Sequence, residues 1–209
     1  MKKIKICTPV IGKTLNEFLK NLEQIQEISE MVELKVDNIR NLSEKNLQLI
    51  RKKTVKEVIL TSRKKEIILK ALNLGFDFID IDLSLIKDFN LPKKIKSNII
   101  ISFHDFKKTP DVNKLEEILN KIREFKQEII KIATMVNNKQ DVGNLFKTLL
   151  NKKVDEKIII VGMGKKGRVT RIFGPLFGSF LTFAKTKYGL SEQGQIDITK
   201  LKNIYKLIT

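Results

Sequence analysis

Short apolar runs recur eight times along the chain, and each is followed by a stretch patterned for a helix or a turn. The runs cover residues 3–9, 31–36, 57–61, 76–83, 98–103, 128–133, 157–161 and 180–183. The run 128–133 is the most telling. Ile129, Ile130, Ile132 and Ala133 put apolar groups on both faces, the pattern of a strand buried in a parallel sheet. Helical spacing fills many of the gaps, at 14–25, 43–50, 67–74, 111–125 and 139–150, and a last helix is expected over 198–207. Thr14 and Ser43 are suited to open their helices as N-caps, and Gly75 to close one. Pro92 bars helix where it stands. Parallel strands need crossovers, which helices supply. Eight such units predict an α/β fold, a (β/α)8 TIM barrel, with an open doubly wound sheet as the alternative. No linker-like shift in composition divides the chain, so one domain over residues 1–209 is expected.

Composition narrows the function classes. No apolar run reaches the ~18 residues of a membrane span, and the N-terminal residues lack the pattern of a secretion signal. A lone cysteine, Cys7, fits a reducing compartment, so a cytoplasmic protein with no membrane partner is expected. With one histidine and one cysteine there is no zinc-type cluster, and no metal is expected. The net charge of +17 invites a nucleic-acid reading. Yet 35 of the 41 basic residues are lysines, scattered without a dense run, and arginine is the usual bidentate reader of bases. No specific nucleic-acid partner is predicted.

In such a barrel, chemistry belongs at the C-terminal ends of the strands. Lys131 lies within an apolar strand, where an unpaired ammonium would shed its proton and become a nucleophilic amine. The plainer alternative is a lysine that snorkels to water. Glu33, Lys35 and Asp37 would share one face by alternation, either as a salt-bridge layer or in use. Arg63 follows the third strand, Asp80 and Asp82 lie on the fourth, and His104 ends the fifth, next to the strand of Lys131. Arg171, Ser191 and Gln195 fall in the last loops. Gly162-Met-Gly-Lys-Lys-Gly167 fits G-x-G-x-x-G, but no acidic residue follows about 20 positions later, where a dinucleotide site wants one. The motif reads better as a tight turn that aims Arg171 at an anion.

Taken in order, Val32-Glu-Leu-Lys-Val-Asp37, Thr61-Ser-Arg63, Ser102-Phe-His-Asp-Phe106, Lys131-Ile-Ala133, Met163 to Arg171, Phe177-Gly-Ser179 and Ser191 to Gln195 resemble the motifs of type I 3-dehydroquinate dehydratases. The resemblance covers nearly the whole chain. It implies a barrel enzyme of the shikimate pathway, usually a homodimer, that dehydrates 3-dehydroquinate to 3-dehydroshikimate without metal or cofactor. Lys131 matches the family's Schiff-base lysine, and His104 its general acid/base. Arg171 matches the carboxylate-binding arginine, Ser191 and Gln195 the closing loop, and Glu33 and Arg63 the contacts to ring hydroxyls. Three departures stand out. Lys35 replaces an arginine, Glu192-Gln193 replaces Ala-Pro in the closing loop, and the glutamate often found near the histidine is out of register at Glu66. Glu66 or Asp105 is the expected partner of His104. The competing readings are a lysine-dependent aldolase with a phosphate site and a basic binding protein without catalysis.

Overall fold

A computed structural model of the chain describes residues 4–86, 89, 91, 95–125, 127–188 and 194–208. Nine strands and eight α-helices are described, in the order β1(Ile6–Val10), α1(Leu15–Ile28), β2(Met31–Lys35), α2(Glu44–Lys53), β3(Glu57–Thr61), α3(Lys65–Ala71), β4(Phe78–Asp82), α4(Leu83–Ile86), β5(Asn98–Asp105), α5(Val112–Arg123), β6(Ile129–Met135), α6(Lys139–Leu150), β7(Ile158–Met163), α7(Arg168–Phe173), β8(Thr182–Lys185), β9(Ile196–Asp197) and α8(Ile198–Ile208). All the strand pairings are parallel, and β1 lies between β2 and β8. The Phe180 N–H donates to the Ile158 carbonyl at 2.7 Å, and the Ile160 N–H to Ser179 Oγ at 3.2 Å. These bonds bring the start of β8 against β7 and close the (β/α)8 barrel. The two residues of β9, a strand not foreseen from the residue pattern, pair with the end of β8.

Alternation explains the two larger of the three buried clusters. Outward-facing residues such as Ile130, Ile132, Ile158 and Ile160 pack under the helices in the larger cluster. Their inward neighbours, among them Met31, Ile59, Phe78, Ile100, Ile129 and Ile159, fill the barrel. Burying each such side chain contributes about 1.5–3 kcal/mol. Helices α1, α2, α5 and α6 begin where a side chain can satisfy an open N–H group. Thr14 accepts from the Glu17 N–H, Ser43 forms a capping box with Asn46, and Asn138 forms another with Asp141.

Several expected boundaries move. β5 and β6 run two residues further than expected, through Asp105 and Met135, and so carry His104 within a strand. β8 begins at Thr182 rather than 180, because Ser179 and Phe180 are committed to the seam with β7. Asp37 does not share the face of Glu33 and Lys35. The strand stops at Lys35, and Val36–Asn38 turns as a 3₁₀ helix. Asp37 instead accepts from the Ser62 hydroxyl at 2.5 Å and the Arg63 N–H at 2.8 Å, which fixes the loop after β3.

Candidate active site

The inner face of the barrel changes character toward the C-terminal ends of its strands. Above the apolar layer, β2 supplies Glu33, β4 Asp80, β5 Ser102 and β6 Lys131, all buried. Strand register sets this layer. Ser102 stands opposite Lys131, and His104 opposite Ala133, so both β5 side chains point into the barrel beside the lysine.

Lys131 is the third of seven residues in β6 and only 7% exposed, so it does not reach bulk water. Nor is its amine unpaired, as the sequence suggested. Nζ donates to Asp80 Oδ2 at 2.7 Å and lies 3.6 Å from Glu33 Oε1. It also sits 5.0 Å from the centre of the Phe183 ring. Two carboxylates therefore face the amine. Glu33 in turn accepts from the Thr61 hydroxyl at 3.0 Å and lies 3.9 Å from Lys35 Nζ. Cys7 lies inside the barrel near these charges. Burial pushes its thiol well up, helped by the nearby Glu33 charge, which excludes it as a thiolate nucleophile at neutral pH.

His104 is tied to the end of β4. Its Nδ1 lies 2.8 Å from Asp82 Oδ2, while Asp82 Oδ1 accepts from the Ser84 N–H and hydroxyl at 2.9 and 2.6 Å. Burial alone would raise the Asp82 carboxyl, but the bonds from His104 and Ser84 outweigh it and hold the group at about 2. The Phe106 ring lies parallel to the imidazole at 5.8 Å. The exposed Arg63 guanidinium sits 5.7 Å from the centre of the same ring, at the rim of the cavity.

Arg171 is 1% exposed although it is a charged residue on a six-residue helix. Its backbone carbonyl is held by the Thr182 and Tyr205 hydroxyls at 2.9 and 2.7 Å, which pins α7 against β8 and α8. The glycine motif places that helix. A Cβ on Gly167 would come within 2.4 Å of the Gly162 backbone, so strand β7 and helix α7 meet at a distance only glycine permits. Gly194, at φ +89°, lies against the Gly164 carbonyl and brings the buried Gln195 to the cavity. Gln195 Oε1 has no hydrogen-bond partner among the described residues. Ser191, Glu192 and Gln193 lie outside the described residues.

One cavity of about 410 Å³ takes in Glu33, Lys35, Arg63, His104, Lys131, Arg171 and Gln195 together. That volume suits a small ligand. Among the described residues, the cavity's acids are Glu33, Asp37, Asp80 and Asp82 and its bases Lys35, Arg63, Lys131 and Arg171, so these charges cancel.

Residues 6–209 match the family model described as type I 3-dehydroquinase. The chain belongs to that family. A 3-dehydroquinate dehydratase of Coxiella burnetii (strain RSA 493 / Nine Mile phase I) is 37% identical over 216 residues, spanning 97% of this chain and 92% of the relative. One from Methanocaldococcus jannaschii is also 37% identical, spanning 97% of this chain and 98% of the relative. A crystal structure of the type I enzyme from Clostridium difficile, with covalently modified comenic acid, superposes with a TM-score of 0.86 at 27% identity. That match covers 100% of this chain and 93% of the other. Within this type I 3-dehydroquinase, sequence reasoning located Asp80 and Asp82 on the fourth strand but gave them no task. It missed Tyr205 and Thr182 altogether as anchors of Arg171. For Asp80 and Asp82 the signal was present, since alternation puts both on the face of the strand next to His104. For Tyr205 there was none, because its partner lies 34 residues away.

Proposed function

We propose that the protein dehydrates 3-dehydroquinate to 3-dehydroshikimate, in the shikimate pathway, through a Schiff base on Lys131 with His104 as general acid/base. The observation that carries this reading is the opening of a buried amine, an imidazole and a buried guanidinium into one small cavity. The covalently modified comenic acid in the Clostridium difficile relative adds support for covalent chemistry at such a site.

Before attack the Lys131 ammonium gives up one proton, and Asp80, at 2.7 Å, is the nearest acceptor among the described residues. The amine lone pair forms a C–N bond to the substrate ketone carbon. The carbonyl electron pair moves to oxygen, which is protonated and leaves as water, giving a protonated imine. That cation acidifies the neighbouring C–H. His104 takes the proton, and the C–H electron pair flows into the imine to form an enamine. The enamine then expels the β-hydroxyl, which His104 protonates as it leaves as water. Hydrolysis of the unsaturated imine frees the product and restores Lys131. Acid–base help of this kind contributes roughly 10²–10⁴-fold. Arg171 can grip the substrate carboxylate through two parallel N–H bonds. Glu33, Lys35 and Arg63 are placed for the ring hydroxyls, and Ser191 and Gln195 belong to the closing segment. No metal or cofactor is required by this chemistry. The homodimer implied by the family resemblance and the cytoplasmic location expected from the composition complete the proposal.

Incubation with 3-dehydroquinate and borohydride tests it directly. A stable adduct on Lys131, absent from Lys131→Ala, is expected, along with rising absorbance from the conjugated product when borohydride is omitted. Wild-type protein that forms neither adduct nor product would end the reading.

A further inference from the structure

Resting on the dehydratase reading, we propose that Asp82 is the positioning residue for His104, fixing the imidazole proton on Nδ1 so that Nε2 is the nitrogen presented to substrate. A carboxylate can only accept, so a neutral imidazole 2.8 Å from Asp82 must carry its hydrogen on Nδ1. No described residue bonds Nε2, and His104 lines the cavity that holds Lys131. Asp82 is itself held. Its other oxygen takes two hydrogen bonds from Ser84, the second residue of α4, so the carboxylate cannot swing away from the ring. The flat contact with Phe106, at 6° between planes, sets the remaining rotation of the imidazole.

The two partners expected from the sequence are engaged elsewhere or out of place. Asp105 alternates to the other face of β5, and its Oδ1 accepts from the Lys107 and Lys108 N–H groups. Glu66 is exposed in the first turn of α3. The acid that orients the base therefore comes from the neighbouring strand β4, two residues beyond the acid that pairs with Lys131. One strand thus serves both reacting groups, through Asp80 and Asp82.

His104 is the only histidine in the chain, so its ring nitrogens can be read without assignment. In protein labelled with ¹⁵N-histidine at pH about 9, above the ordinary histidine range, Nδ1 should show the protonated shift and Nε2 the unprotonated one. Asp82→Ala should shift the ring toward the Nε2–H form. Its kcat should fall by about 10²-fold or more, with KM within threefold (about the resolution of such a comparison) and the borohydride adduct on Lys131 still formed. Asp82→Glu should recover part of kcat. A wild-type ring found as Nε2–H, or an Asp82→Ala protein with unaltered tautomer and kcat, overturns the proposal. Absence of any Lys131 adduct in wild type would instead sink the parent reading, and the ¹⁵N shifts would still decide the role of Asp82.

Discussion

The contact between Lys131 and Asp80 can be dissected by a double-mutant cycle. Asp80→Asn keeps the shape and an acceptor oxygen but removes the charge. A hydrogen bond to a charged group is worth about 1.5–3 kcal/mol, against about 0.5–1.5 for a neutral one. Glu33, at 3.6 Å, still faces the amine. The cost should therefore stay below the ~3–5 kcal/mol seen when a buried pair is broken outright. We expect a loss of about 1–2 kcal/mol, or a Tm lower by about 2–8 °C for a chain of this size. In a Lys131→Met background the sign should change. There the Asp80 carboxylate is buried beside Glu33 with no ammonium between them, so Asp80→Asn should be neutral or stabilising. Urea denaturation of the four proteins at pH 7 gives the coupling, expected to be at least about 1–2 kcal/mol. Costs that add to within about 0.5 kcal/mol would refute the pairing of Lys131 with Asp80.

Arg171→Lys keeps the charge and loses the fork, so kcat/KM should fall by about 10–100-fold, mainly through KM; an unchanged KM would contradict the carboxylate assignment. The Asp82 carboxyl, near 2 in the folded protein and about 3.9 when unfolded, adds stability above pH 4 that is lost as the pH falls toward 2. Because the side chain is 28% exposed, solvent screening cuts this to about 1 kcal/mol. The stability gap between wild type and Asp82→Asn should therefore close over that window in acid denaturation, and a constant gap would count against it. Gly167→Ala drives a methyl into the Gly162 backbone, so it should cost at least about 1–3 kcal/mol and raise KM by displacing Arg171; a variant with normal Tm would show that the turn has slack.

The barrel was legible because strand patterning and helix caps are local. Ile129 to Ala133 announces a parallel strand on its own, and Thr14 and Ser43 cap the helices they were expected to cap. The residues that line the cavity could be picked out as strand-end polar groups and, more sharply, through the family resemblance. Pairing could not. Lys131 looked unpaired because its partner, Asp80, lies 51 residues away on a strand two places round the barrel. The partner of His104 was sought among sequence neighbours and near the third strand, but Asp82 reaches it across a strand boundary. Alternation also misplaced Asp37, since nothing local signals that β2 ends in a 3₁₀ turn.

The balance of four acids against four bases around the cavity has a consequence for how substrate arrives. A molecule with a charge of +17 draws anions toward itself from every side. The described lining of its cavity, however, adds no net charge of its own to that field. Long-range attraction then comes from the rest of the molecule, and selection inside the cavity rests on short-range fit. Added salt, which screens the long-range pull of a lysine-rich molecule, should therefore slow capture of an anionic substrate more than it disturbs the contacts inside the cavity.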